Sequence, residues 1–160
     1  MYHRILVPID GTEPAQQALH EAIRLARHSA GWMRLIYVVE DVEEWETYHA
    51  QLARQVPRSS DQYGQSVLSA AMQTVESYGL RVSAALRYAE GRPICKIVID
   101  EAALGNADLI VMCSRGGFSL GPFLFGSVAK RVAHRSKTPV LVLRHRLAVS
   151  AALLNGPLSG

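Results

Sequence analysis

Short apolar runs alternate with longer amphipathic ones along this chain, and that order constrains the fold more than any single residue does. Residues 3–9, His-Arg-Ile-Leu-Val-Pro-Ile, read as a buried strand ended by Asp10-Gly11. Thr12 then stands as an N-cap with Pro14 in the first turn. Ala15, Ala18, Leu19, Ala22, Ile23 and Ala26 follow at i, i+3, i+4 spacing, which predicts a helix with one apolar face, closed by Gly31. Residues 33–39 form a second buried strand. A second helix is predicted from Asp61 to Tyr78, with Val67, Leu68, Ala71, Met72, Val75 and Tyr78 on its apolar face and Gly79 past its end. Residues 81–89 alternate more clearly, as Val82, Ala84 and Leu86, and so suit a less buried or edge strand. Gly91-Arg92-Pro93 turns the chain into a third helix that buries Ile94, Ile97, Val98 and Ala102. Strand four is Asp108 to Met112, helix four runs from about Ser127 to Arg135, and strand five is Pro139 to Leu143.

Helix-length connections between successive strands demand parallel pairing, because a tight hairpin cannot return the chain to the same direction. The expected fold is α/β: one open, five-stranded parallel sheet with helices on both faces. At 160 residues the chain fits one domain and buries roughly two-thirds of its unfolded surface. We read residues 1–146 as that domain and 147–160 as a C-terminal tail. Residues 40–58 fit no pattern: an acidic start is followed by Trp45, Tyr48 and Leu52, then Pro57 and two serines. A mobile segment or lid is expected there.

Composition narrows the function classes. No apolar run approaches the ~20 residues that span a bilayer. Met1-Tyr2-His3-Arg4-Ile5 enters a strand at once, without a basic-then-apolar leader pattern. A cytoplasmic protein with no membrane partner is expected. Cys95 and Cys113 lie on separate elements and are read as free thiols, with Cys95 a small buried hydrophobe. The six histidines show no metal-ligand spacing. A net charge of +3 is modest, and no basic run is interleaved with aromatics, so nucleic acid is not the expected partner.

The charge is nevertheless uneven. After Asp108 come Arg115, Lys130, Arg131, Arg135, Lys137, Arg144 and Arg146, with no Asp or Glu, whereas the preceding residues are net acidic. Within that basic third lies Cys113-Ser114-Arg115-Gly116-Gly117-Phe118-Ser119-Leu120-Gly121-Pro122-Phe123-Leu124-Phe125-Gly126-Ser127, between strand four and helix four. Glycines allow backbone to approach a ligand closely. A strand, a glycine-rich loop and a helix N-terminus together offer N–H groups and a positive dipole end to an anion. Phosphate is the natural match. The cluster Lys130, Arg131, His134 and Arg135, at the far end of helix four, complements the dipole as a solvated face. Asp10, at the end of strand one, suits either a ligand contact or the capping of its own turn.

Several phosphate and catalytic motifs are excluded. Strand one is followed by Asp10-Gly11-Thr12-Glu13-Pro14, which is neither a Walker loop nor the Gly-x-Gly-x-x-Gly dinucleotide fingerprint. A receiver domain needs an acidic pair after strand one and a phosphoacceptor after strand three; Asp10 stands alone, and Leu86-Arg87-Tyr88 offers no acceptor. Ser114 is flanked by Cys113 and Arg115, so there is no nucleophile elbow.

What remains resembles the universal stress protein family over residues 3 to 144. The resemblance rests on Ile5-Leu6-Val7-Pro8-Ile9-Asp10, Tyr37-Val38-Val39, Gly91-Arg92-Pro93 and Ala107-Asp108-Leu109-Ile110-Val111-Met112. It continues with Gly116-(nine residues)-Gly126-Ser127 and Thr138-Pro139-Val140-Leu141-Val142-Leu143. It implies strand order 3-2-1-4-5 and a homodimer through the final strand, residues 139–144. It also implies an ATP or AMP site, with Mg²⁺ reached from Asp10 through water. The implied contacts are Pro8, Ile9 and Asp10 on the adenosine side, with the Val38 backbone at the adenine edge. Met112, Cys113, Arg115, Gly116 and Gly117 follow strand four, and Gly126, Ser127 and Val128 close on the phosphates. Nucleotide-binding members carry Gly-x2-Gly-x9-Gly-Ser/Thr, and Cys113 stands at the first of those glycines. If that position needs a positive φ or close approach, a Cβ there costs on the order of 1 kcal/mol or clashes with ribose. If only its backbone is used, in extended form, Cys is tolerated. The implied function is a stress-response regulator that binds adenine nucleotide, with slow ATP hydrolysis at most, since Asp10 is the lone candidate base. The alternative is a member of the same fold that binds no nucleotide and works through its dimer surface.

Overall fold

The computed structural model describes residues 1–40, 60–114 and 125–144. The expected segment at 40–58 beyond Glu40, the loop residues Arg115, Gly116, Gly117 and Gly121, and the tail 147–160 lie outside the described residues. The described elements are β1 (Arg4–Pro8), α1 (Glu13–Ser29), β2 (Trp32–Val39), α2 (Ser60–Ser77), β3 (Arg81–Tyr88), α3 (Ile94–Leu104), β4 (Leu109–Ser114), α4 (Phe125–Arg135) and β5 (Val140–Arg144). All strand pairs are parallel, in the order β3-β2-β1-β4-β5. The expected sheet, its order and its edge assignment for β3 are therefore the observed ones.

Strand alternation builds two cores from one sheet. Ile5, Val7 and Ile9 of the first strand and its exit join Met33, Leu35, Leu109 and Val111 under α1 and α2. Leu6 joins Ile36, Ile110 and Met112 on the opposite face, under Cys95, Val98 and Ala102 of α3 and Ala129 and Val132 of α4. Because β1, β2 and β4 are covered on both sides, they read as continuous apolar runs. Leu6, Ile36 and Ile110 are fully buried, each contributing roughly 1.5–3 kcal/mol of transfer free energy.

The helices carry their own start and stop chemistry. Thr12 sits extended (φ −79°, ψ 160°) and accepts from the Ala15 N–H, with Pro14 in the first turn of α1. All six predicted inner residues of α1, from Ala15 to Ala26, are buried. The left-handed residue that ends α1 is Ala30 (φ 49°), one position before Gly31. At the opposite edge from the strand exits, the Asp108 carboxylate accepts the N–H groups of His3 at 2.8 Å and Arg4 at 3.0 Å, tying β4 to the start of β1. Among the described residues, no helix is long and apolar enough to cross a membrane.

Candidate functional site

The chain order creates a switch point between β1 and β4. After β1 the chain rises into α1 on one face of the sheet; after β4 it continues to α4 on the other. Where neighbouring connections leave to opposite faces, a crevice opens outside the carboxyl ends of the strands. The registers say which residues meet there. Pro8 pairs with Ile36 and Leu6 with Ile110, and the Ile9 N–H donates to the Ile36 carbonyl at 2.8 Å, so Asp10 follows directly on the last bond between β1 and β2, at the end of the sheet where β4 runs out to Ser114. Ser114 in turn pairs with Arg144 at the end of β5. The exits of β1, β2, β4 and β5 thus lie at the same edge.

Asp10 is held in a tight turn. Its Oδ1 accepts the Thr12 N–H at 2.9 Å and the Thr12 hydroxyl at 2.6 Å, so the carboxylate organises the entry to α1. Both roles raised for Asp10 are compatible: the capping role is seen, at the edge where a ligand contact was expected. Gly11 between them has φ +83°, a value that side chains other than glycine rarely adopt.

The predicted residues that precede the turn offer backbone rather than side chains. Pro8 and Ile9 are buried, and Met112 packs in the α3–α4 core. Val38 is half-buried. Cys113 belongs to β4, which extends two residues beyond the expected end at Met112. It is not among the positive-φ residues, so the left-handed conformation considered for this position does not occur. Alternation turns its thiol into the core under α1, where it is 3% exposed and faces Gln17. Burial pushes the thiol pKa above its ordinary range, leaving the neutral S–H favoured. The Ser114 hydroxyl donates to the Leu143 carbonyl at 3.2 Å, fastening β4 to β5.

On the other side of the crevice, α4 begins at Phe125, two residues before the expected start. Gly126, Ser127 and Val128 therefore sit in its first turn, where backbone N–H groups face outward along the axis and the dipole is positive. The β3 exit is occupied differently: the Tyr88 hydroxyl donates to Asp61 Oδ2 at 3.1 Å. Among the described residues, no group of three His, Cys, Asp or Glu side chains forms a metal cage. The donor set fits a divalent cation only as the companion of phosphate oxygens, with Asp10 as one protein carboxylate.

Two arrangements escaped the reading of the sequence. Glu101, on the inner face of α3, is 5% exposed yet charged. It accepts from Arg34 Nε at 3.0 Å and from Arg87 Nε at 2.7 Å and Nη2 at 3.0 Å, while Arg34 also donates to Ser83 at 3.1 Å. Desolvation opposes its ionisation, but the hydrogen bonds from Arg87 and Arg34 prevail and hold the carboxyl below the usual range. The available signal was spacing, since Glu101 stands four residues after Ile97 on the apolar face. The second is Tyr63 of α2, which reaches the Gly11 turn. A groove of about 390 Å³ runs between α1 and α2 from that turn past Leu19 and Val67. Its Ser66 and Thr74 hydroxyls donate to the carbonyls of Tyr63 and Ala70.

Comparison with known proteins follows this geometry. The sequence model of the universal stress protein family matches residues 1–144. Universal stress protein MJ0531 of Methanocaldococcus jannaschii is 32% identical over 145 residues, covering 90% of this chain and 83% of that protein. Among solved structures, a universal stress protein in complex with cAMP superposes with a TM-score of 0.65 at 21% identity, over 89% of this chain and 97% of its own. The universal stress protein of Archaeoglobus fulgidus in complex with dAMP gives 0.64 at 19% identity, over 88% and 97%.

Proposed function

The chain belongs to the universal stress protein family, and from that premise we propose that it is a stress-response regulator that binds an adenine nucleotide, ATP or AMP, and acts as a cytoplasmic homodimer. The observation that carries this reading is the switch point itself: the Asp10 turn after β1, the end of β2 at Val38 and Val39, and the end of β4 at Ser114 lie at one edge of the sheet, and β1 and β4 lead to helices on opposite faces. Neighbours of the same fold hold cAMP and dAMP, which supports an adenine nucleotide as the ligand class. In this reading Pro8, Ile9 and Asp10 shape the adenosine side and the Val38 backbone meets the adenine edge. The backbones of Met112 and Cys113 form the floor. Arg115, Gly116 and Gly117 approach the phosphates, and the first-turn N–H groups of Gly126, Ser127 and Val128 close on them. Mg²⁺ enters with ATP, with Asp10 reaching it through water. Hydrolysis is slow at most, because Asp10, the candidate base, already organises its own turn.

The rival reading, a family fold without a ligand, drew its force from Cys113. That residue is extended and its thiol lies in the core under α1, which supports the nucleotide reading. The homodimer has a motive in β5, a sheet edge that leaves Val142 37% exposed. Such an edge is an aggregation hazard unless it is paired or covered.

Equilibrium titration of the full chain with AMP and with ATP–Mg²⁺, followed by calorimetric heat, tests the proposal. Micromolar binding that is lost in Gly126→Val and weakened in Ser127→Ala is expected. Absence of heat at millimolar nucleotide overturns it. Sedimentation of wild type and Val142→Lys tests the β5 dimer, which the lysine should dissociate.

A further inference from the structure

Two glycines let the first turn of α2 press against the site more closely than ordinary side chains allow. A Cβ on Gly11 would stand 2.5 Å from the Tyr63 hydroxyl and 3.0 Å from Val67 Cγ2. The missing side chain of Gly11 is replaced, in effect, by the end of Tyr63. One residue on, a Cβ on Gly64 would stand 2.6 Å from Tyr37 Cδ1 and 2.7 Å from Leu86 Cδ1. The Tyr63 ring meets Tyr37 edge-on, with centroids 6.0 Å apart and planes at 76°. That geometry sets the positive ring edge on a negative face and fixes the ring in one orientation. Tyr37 is itself a buried residue of β2, one step before Val38.

Tyr63 therefore touches the two strand exits that form the adenosine side: the Asp10-Gly11-Thr12 turn after β1 and the end of β2. The turn itself is built on a glycine. Asp10 and Thr12 hydrogen-bond each other across Gly11, and glycine by itself tolerates many backbone states. A rigid aromatic laid over a left-handed glycine removes that freedom.

We propose that Tyr63 is a positioning residue for the nucleotide site: its ring, anchored on Tyr37, clamps Gly11 and so holds Asp10 and the start of α1 in the geometry that receives the adenosine. The inference rests on the nucleotide reading above for its functional half. Its structural half, the clamp on the turn, stands independently. A misplacement of a positioning group by a fraction of its own size is enough to weaken a site that depends on preorganisation.

The test uses the full chain with AMP as probe and two readouts. The variants are Tyr63→Ala, Tyr63→Phe and, as a control cavity elsewhere in α2, Val75→Ala. Calorimetry reads AMP affinity. Hydrogen exchange reads the Thr12 amide, which donates to Asp10, relative to that of Leu6 in the middle of β1. Tyr63→Ala is expected to weaken AMP by about tenfold and to speed Thr12 exchange relative to Leu6 by about tenfold. Tyr63→Phe, which keeps the ring, should recover affinity to within about threefold of wild type. Val75→Ala should lower the melting temperature and move neither readout. An unchanged Thr12-to-Leu6 ratio in Tyr63→Ala overturns the clamp whatever the nucleotide does. Equal AMP affinity in wild type and Tyr63→Ala, or an equal loss in Val75→Ala, overturns the positioning role. Wild-type chain that takes up no AMP sinks the nucleotide reading, while the Thr12 amide still decides the clamp.

Discussion

Cys113 directs its thiol at Gln17 across the junction of β4 and α1, with Sγ 4.0 Å from the side-chain Oε1. Cys113 thus spends its side chain on the core, near the end of β4. Cys113→Gly should then lower stability by about 1–2 kcal/mol, through lost burial and a more flexible strand end. Nucleotide affinity should stay within about threefold. Denaturant unfolding and AMP titration of the same samples check both. A large gain in affinity in the glycine variant would show that the Cβ does intrude on the ligand.

The same burial predicts slow thiol chemistry. Cys95 and Cys113 are both buried away from reagent, and desolvation raises the Cys113 pKa, so the Cys113 thiolate in particular is scarce near neutral pH. Alkylation in native buffer at pH 7.5 should proceed at least about a hundredfold more slowly than in urea. Mass spectrometry of timed aliquots reads the two sites separately. Fast labelling of Cys113 in the folded chain would contradict its place under α1.

Glu101 carries a pH-dependent share of stability. Its folded pKa lies below the ordinary value of 4.5, so its contribution is present above that pH and is lost as pH falls through the lower folded value. Glu101→Gln should destabilise the protein at pH 7 by about 2 kcal/mol, less than for a fully enclosed pair because the Arg87 side chain is 39% exposed. The gap between variant and wild type should narrow as the pH drops below 4.5. Thermal melts across pH 3 to 7 measure it, and a gap independent of pH would refute the ion cluster.

Asp10 separates turn from ligand. Asn at this position keeps a carbonyl oxygen for the Thr12 N–H, so Asp10→Asn should unfold within about 0.5 kcal/mol of wild type. Asp10→Ala loses both hydrogen bonds and should cost about 1 kcal/mol. If the carboxylate also serves Mg²⁺, Asp10→Asn should reduce the magnesium dependence of ATP binding while leaving metal-free AMP binding nearly intact. Parallel titrations with and without Mg²⁺ check this.

Legibility varied from residue to residue for physical reasons. The inner face of α1 was readable because each of its apolar positions answers to one period, and burial selects only for that period. The edge character of β3 was readable because an exposed strand keeps polar residues such as Arg81, Ser83 and Arg87 in alternation. Element ends were less so: β4 runs on to Ser114 and α4 starts at Phe125 because pairing with β5 and the first helical turn extend order beyond the apolar runs. Spacing alone hinted that Glu101 lies on the inner face, but its ion cluster was not readable because its partners lie 67 and 14 positions away.

The sequence by itself determined the alternation of strands and helices, and with it the parallel sheet, the turn chemistry of Asp10, Gly11 and Thr12, and the basic character of the last third. These are local properties: each depends on the spacing of neighbours along one element. Only the tertiary structure decided which way Cys113 faces, that Glu101 is enclosed by Arg34 and Arg87, and that Tyr63 fills the space beside Gly11. Each of those depends on how strands register and on which face a side chain leaves. A one-residue shift in register would send Cys113 to the other face of the sheet, although the sequence would remain the same.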